Sequence, residues 1–268
     1  MFRTADIGGD VARCAQSAAF VCPAADIFIE IEVLSDLNSL VLDEDTIQTL
    51  ATKHETSAPQ EILKVALERL PRVTFACSFG AEDMVILDML ARMDARVNVF
   101  YLDTHVLFKE TYALIEAAKK HYRLTDLTRV EPALTLTEQA KQYGDELWQR
   151  DPNQCCNIRK VEPLKRHLQA YDGWITGIRR DQASTRAHAQ AFEADKKFHL
   201  VKVNPLILWT AEDVWRYIHD HDVPYNTLHE KGYPSIGCVH CTRPVKPGED
   251  PRSGRWVGFA KTECGLHR

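Results

Sequence analysis

From Pro59 onward the chain alternates between two hydrophobic periods. Ile62, Leu63, Ala66, Leu67 and Leu70 recur at helical spacing, which predicts a helix over 60–70. Residues 72–77 are a short apolar, β-branched run of the kind that fills a buried strand. Ser78-Phe79-Gly80-Ala81-Glu82-Asp83 then turns that strand into a second helix over 84–92, with acidic residues at its favourable N-terminal end. The same reading gives strands over 97–102 and 124–130 and helices over 109–122 and 134–143. Residues 161–168 look helical, with Pro163 tolerable only near a helix start. Residues 173–178 and 200–203 read as strands, and Thr210 with Asp213 opens a helix over 211–219 in a near capping box. A βαβαβα alternation predicts a parallel sheet with helices on both faces and ligands at the carboxyl ends of its strands.

The ends are less regular. Residues 27–34 alternate like a strand and Asp43-Glu44-Asp45 suggests a helix start, yet neither leads to recognisable chemistry, so residues 1–55 are set apart as a segment without a role. Beyond Pro224, Gly and Pro are frequent and periodicity is lost, so that region needs an anchor other than a regular core.

Length and composition bound the class. A chain of 268 residues with 45% hydrophobic content fits one α/β domain with additions. A net charge of −5 and a pI near 6.1 exclude general attraction to nucleic acid or an anionic membrane, so any anion site must be assembled from local Arg and Lys. No run approaches the ~20 apolar residues that cross a bilayer. The apolar stretch over 15–25 follows Asp6 and Asp10 and is broken by Pro23, which argues against a signal peptide. Eight cysteines in so long a chain are too sparse for a disulfide scaffold, and their clustering reads as metal binding in a reducing, cytoplasmic setting.

Four of those cysteines form an adjacent pair, Cys155-Cys156, and a Cys238-x-x-Cys241 pair. Neighbouring side chains can serve one centre only from a turn or helix start, which Asp151-Pro152-Asn153 supplies. Zinc ribbons use two C-x-x-C knuckles, so a tandem pair with one knuckle favours an iron–sulfur cluster over zinc; four unrelated buried thiols are the plain alternative. Cys14, Cys22 and Cys77 read as inert thiols. Arg159, Lys160, Arg243, Arg252, Arg255 and Lys261 bracket the cysteines in an otherwise acidic protein, which favours an anion pocket over a solvated basic face, with Arg179, Arg180 and Arg186 as further donors. Cys264 has Lys261 and His267 three residues away on either side, and cationic neighbours raise the thiolate fraction a nucleophile needs. Glycines at 248, 254, 258 and 265 make the tail hinge-capable. The turn at Ser78–Asp83 and the strand end Leu102-Asp103-Thr104 are positioned for an anion, although a plain connector and a helix cap would look the same.

Several blocks together resemble the assimilatory, thioredoxin-dependent adenylyl-sulfate reductases of the PAPS/APS reductase family. They are Ser78–Asp83, Leu102-Asp103-Thr104 with Glu110-Thr111-Tyr112, Cys155 through Leu164, Thr176 through Gln182, Gly237 through Arg243 and the terminal Glu263-Cys264-Gly265-Leu266-His267. The resemblance covers residues 60 to 268. It implies a Rossmann-like adenine nucleotide alpha hydrolase-like fold, with a catalytic domain over 56–268 and a mobile, cysteine-anchored C-terminal tail from about residue 245. It further implies a [4Fe–4S] cluster on Cys155, Cys156, Cys238 and Cys241, and attack by Cys264 on the sulfur of adenosine 5′-phosphosulfate (APS). By the same carry-over Lys160, Arg186, Arg252, Arg255 and His267 contact the phosphosulfate, and Ser78, Gly80, Leu102, Thr104 and Gly177 shape the nucleotide site. Thioredoxin is the implied electron donor. The cluster is expected to order its loop and couple to the sulfate through Lys160 without shuttling electrons; a homo-oligomer is possible.

His105-Val106-Leu107-Phe108 departs from the family's glycine-containing stretch after Asp-Thr, and residues 1–55 match nothing in it. Relatives acting on 3′-phosphoadenylyl sulfate (PAPS) lack both cysteine pairs, which points to APS. The rival readings are a PAPS reductase, a non-catalytic metal-bearing redox sensor with a regulatory Cys264, and an adenylating sulfurtransferase that consumes ATP.

Overall fold

Helix α1 (Glu44–Lys53) opens the part of the chain that the computed structural model describes, residues 41–267. The Asp43 carboxylate caps it, accepting from the Thr46 amide at 2.7 Å, and Ile47, Leu50 and Ala51 are buried beneath it. The resemblance places the catalytic domain from residue 56, and α1 before it packs into the same main core through Ile47, Leu50 and Ala51. The acids at 43–45 therefore begin a core helix of this domain. The strand expected over 27–34 lies outside the described residues.

Helix α2 (Pro59–Arg69) starts on a proline, whose fixed φ and missing N–H suit a first turn. Strand β1 (Val73–Ala76), α3 (Ala81–Arg92), β2 (Asn98–Leu102), α4 (Lys109–His121), β3 (Thr128–Val130) and α5 (Leu136–Tyr143) follow in the expected alternation. Two short helices, α6 (Leu147–Arg150) and α7 (Pro152–Cys156), lead through a π turn at Asn157–Val161 into α8 (Glu162–Leu168). Strand β4 (Gly173–Ile175), the hairpin β5 (Phe192–Asp195) and β6 (Leu200–Val203), and α9 (Ala211–Asp220) complete the regular elements. The Thr210–Asp213 capping box is formed in full.

The sheet order is β3-β2-β1-β4-β6-β5, parallel throughout except that β5 runs antiparallel to β6. Alternate strand residues face opposite layers. Val99, Ile175 and Val201 join the core with α1, α2, α3 and α9, while Phe100, Trp174 and Leu200 pack with Leu164 and Leu168 of α8. Both faces are thus covered, as a parallel sheet requires. Strand succession reverses direction between β1 and β4, so their carboxyl ends flank the crevice where such folds bind ligands.

Candidate active site

A cavity of about 870 Å³ opens at those carboxyl ends. Ser78, Gly80, Leu102, Thr104, Lys160, Gly177, Arg186, Arg252, Arg255, Cys264 and His267 all line it, so residues spread over almost 190 positions of sequence converge on one crevice. Its floor is the turn after β1. Phe79 there adopts φ 60° and is buried, a conformation a bulky residue holds only when its surroundings fix it. Asp83 of α3 closes the turn, accepting from the Ser78 amide at 2.6 Å and the Ser78 hydroxyl at 2.5 Å. Burial, partly offset by those bonds, pushes the Asp83 carboxyl up to about 6. On the β4 side Gly177 passes so close that any Cβ would overlap the Asp83 carboxylate. Glycine is needed there for close approach of two loops.

The cysteines arrive from two directions. Asp151 caps α7, accepting from the amides of Asn153 and Gln154 at 3.0 and 2.9 Å, and Cys155 and Cys156 occupy the end of that helix. Proline at 163 has no N–H to return to the preceding turn; immediately before it the Glu162 amide reaches back to Asn157 in the π turn, so the helical path continues from Cys156 into α8. Pro163 is the second residue of α8, near a helix start as expected, while the π turn before it carries the helical path on from α7. Lys160 sits on the π turn. Opposite, Cys238 bridges Leu107, the Val239 amide donates to Val106 at 2.9 Å, and Thr104 shares a hydrogen bond with the Cys238 sulfur at 3.3 Å.

Cys155, Cys156, Cys238 and Cys241 are free thiols lining a second, smaller cavity, with Trp148 stacked on His240 at 3.9 Å along its wall. Burial and then mutual repulsion push Cys155 up to about 12 and Cys241 up to about 11. Arg159 is 2% exposed beside them, its Nε buried without a partner, its Nη1 donating to the Thr104 carbonyl at 3.2 Å. Among the described residues no three His, Cys, Asp or Glu side chains converge on one ion-sized point. The four thiols are arranged around a cavity instead. Lys160, Arg255 and Trp256 line both cavities and form the wall between them.

Cys264 lies in electrostatic contact with Lys160, Arg252 and Cys156. Burial would lower Lys160, but Cys238, Cys264 and Cys156 outweigh it and keep the ammonium charged. Lys261 and His267, the cations expected beside Cys264, each make other contacts in the structure. Lys261 donates to Asn153 Oδ1 at 2.5 Å and lies over the Trp256 ring, tying the tail to α7. His267 lies parallel to Trp174, and burial, then Lys202 and Arg186, drive its pKa well below the ordinary value, so it lines the cavity as a neutral imidazole. Arg243 is exposed and lines neither cavity, and Arg180 is engaged by Glu55 and the Ala189 carbonyl. Arg179 lines the cavity but is held by Glu82 and Asp181. Cys77 is 1% exposed with its pKa raised by burial, an inert thiol as expected; Cys14 and Cys22 lie outside the described residues. Glu263, which sequence patterning gave no role, is 2% exposed and pairs with both Arg186 and Arg252.

A parallel α/β sheet with a cation-lined crevice at its switch point and a thiol on the following tail defines a nucleotide-binding α/β domain equipped for thiol chemistry. The chain belongs to the phosphoadenosine phosphosulfate reductase domain family, whose sequence pattern matches residues 72–244, and is an oxidoreductase of that family. It is 53% identical over 196 residues to the adenosine 5′-phosphosulfate reductase of Shouchella clausii (strain KSM-K16), covering 73% of this chain and 81% of that one. The adenosine 5′-phosphosulfate reductase of Bacillus cereus (strain B4264) is 45% identical over 225 residues, 84% of this chain and 96% of that one. Among solved structures, the phosphoadenylyl-sulfate reductase of Candida auris in its phosphate complex superimposes with a TM-score of 0.68 at 31% identity, over 76% of this chain and all of that one.

Proposed function

We propose that this protein reduces APS to sulfite and AMP, using Cys264 as nucleophile and a dithiol protein of the thioredoxin kind as reductant, in the cytoplasmic route of sulfate assimilation. The carrying observation is that Cys264, Lys160, Arg252 and Arg255 line one crevice at the carboxyl ends of β1 and β4. The names of relatives sharing about half their residues with this chain support APS as the substrate.

A thiolate approaching a sulfur ringed by anionic oxygens is repelled unless fixed cations offset that charge, and Lys160, Arg252 and Arg255 are available to do so. The adenosine end is assigned to the turn at Ser78 and Gly80, to Leu102 and Thr104, and to Gly177. The Cys264 thiolate attacks the sulfate sulfur, forming an S–S bond while the bond from sulfur to the bridging phosphate oxygen breaks and AMP leaves. A donor thiolate then attacks the Cys264 sulfur; the electron pair of the S–S bond departs with sulfite, and a mixed disulfide forms. The donor's second thiolate resolves it, so two electrons pass from the dithiol to sulfur and Cys264 is regenerated.

Cys155, Cys156, Cys238 and Cys241 fit a [4Fe–4S] cluster: free thiols around one cavity, beside the buried and partly unpartnered Arg159. When bound, the cluster supplies a fixed charge next to Lys160 and an anchor for the tail. Incubation with APS alone is expected to leave a sulfonate on the Cys264 peptide by mass spectrometry, and Cys264→Ser to abolish sulfite release while APS still binds. A label elsewhere, or none, would sink the assignment. The PAPS reading is supported by the Candida auris neighbour; competition between the two nucleotides in the sulfite-release assay separates them.

A further inference from the structure

In the docked tail the residue before the nucleophile makes the densest set of charged contacts. Arg186 Nε donates to Glu263 Oε1 at 2.8 Å and Nη2 to Oε2 at 2.9 Å, a bidentate fork, while its Nη1 donates to Gln182. Arg252 Nη2 donates to Glu263 Oε2 at 3.2 Å and to the Thr262 carbonyl at 2.8 Å, and the Thr185 hydroxyl donates to Oε1 at 3.2 Å. Glu263 is 2% exposed and Arg186 9%. Burial would raise the Glu263 carboxyl, but the Arg186 bonds and the two guanidinium charges outweigh it and hold it below the ordinary value.

We propose that Glu263 is a positioning residue for sulfur transfer: its carboxylate clasps Arg186 and Arg252, setting the adjacent Cys264 thiol in register over the crevice, so that Arg186 serves the tail and not the substrate. This rests on the reductase reading of the site. Arg186 presents two nitrogens of one edge to Glu263 and its third to Gln182, which leaves little of its fork for a phosphosulfate. Arg252 joins the clasp through one nitrogen, so it can hold the tail and face the anion together. Lys197 adds a second hold just past the nucleophile, donating to the Gly265 carbonyl at 2.6 Å. Cys264 is thus fixed by contacts on both flanks.

The test uses the full chain with Glu263→Gln, which keeps the shape and removes the charge, together with Arg186→Gln and the double variant. Three quantities are read: amide hydrogen exchange of the tail without substrate, the dissociation constant for APS, and the single-turnover rate of Cys264 adduct formation. Either single variant is expected to speed tail exchange and slow adduct formation by about tenfold or more, with APS affinity within about threefold of the parent. The double variant should be no worse than either single one, because both remove the same contact. Should a single variant fold poorly, the double variant, with no unpaired charge left behind from this couple, supplies the same readings. Unchanged tail exchange in Glu263→Gln, or an Arg186→Gln chain that loses APS affinity by tenfold with its tail exchange unaltered, would overturn the clasp. If the parent forms no adduct with APS while tail exchange responds as described, the reductase reading fails and the clasp stands.

Discussion

Asp83 holds the turn after β1 with a carboxyl that burial pushes up to about 6, against an ordinary 3.8. The folded chain therefore binds this proton more tightly than the unfolded one. Its contribution favours folding below about pH 4 and is lost as the pH rises through 6. Asp83→Asn keeps an acceptor for Ser78 and removes the titration. Between pH 4 and pH 7 its unfolding free energy should gain about 2 kcal/mol relative to the parent, most of the effect of a shift of roughly two pKa units, measured by urea denaturation at both ends. A pH-independent difference would mean the carboxyl stays ionised across that window. The neighbouring Gly177 shows what a sequence pattern can and cannot convey. Its place after a strand was readable, but its reason, the Asp83 oxygen that a Cβ would overlap, comes from a residue 94 positions earlier. His267 shows the converse: as a letter it promised a cation, and only its packing on Trp174 among Lys202, Arg186 and Arg252 makes it neutral.

At the scale of elements, the segment from α7 to α8 joins the two cavities. Asp151 holds its first turn, and Asp151→Ala should cost about 1 kcal/mol, as loss of an N-cap does. On the cluster assignment it should also speed the loss of visible absorbance under a chelator; an unchanged decay would mean that the cap does not steady the cysteine pair. The turn was legible from Asp151-Pro152-Asn153, since adjacent cysteines need one to share a centre. The π turn that leads from it into α8 was not, because it has no one-residue signature, although Pro163 correctly marks the start of α8. Strand β5 has no signal in the hydrophobic pattern, because Glu193 and Asp195 interrupt it; at a sheet edge such charges are ordinary, and Glu193 pairs with Lys202 of β6. The central strands were read correctly because Val, Ile and Phe buried on both faces leave little else for those runs to be. The Glu263 clasp lay beyond any local pattern, since its partner Arg186 is 77 positions away.

Over the whole molecule the net charge is −5, so an anionic substrate meets an unfavourable global field and a favourable local one. Within the crevice Glu82 and Asp181 are paired with Arg179, and Glu263 with Arg186 and with one nitrogen of Arg252; Lys246 and Glu249 add one charge of each sign, and Lys160 and Arg255 stand on the wall shared with the cysteine cavity. The two fields respond to salt with opposite signs. Screening the global repulsion would speed capture of APS, whereas screening the local attraction would slow it. Near contact, a pocket wall of low dielectric weights the local charges more heavily than those spread over the far surface. The second-order rate of Cys264 adduct formation, followed by rapid quench with APS and no donor protein, should therefore fall several-fold between about 50 and 500 mM salt, as the Debye length shrinks from about 14 to about 4 Å. Omitting the donor keeps its own encounter with the tail out of the rate. A rate that climbs with salt would mean that the overall negative charge governs capture and that Lys160 and Arg255 act only once the sulfate is in place.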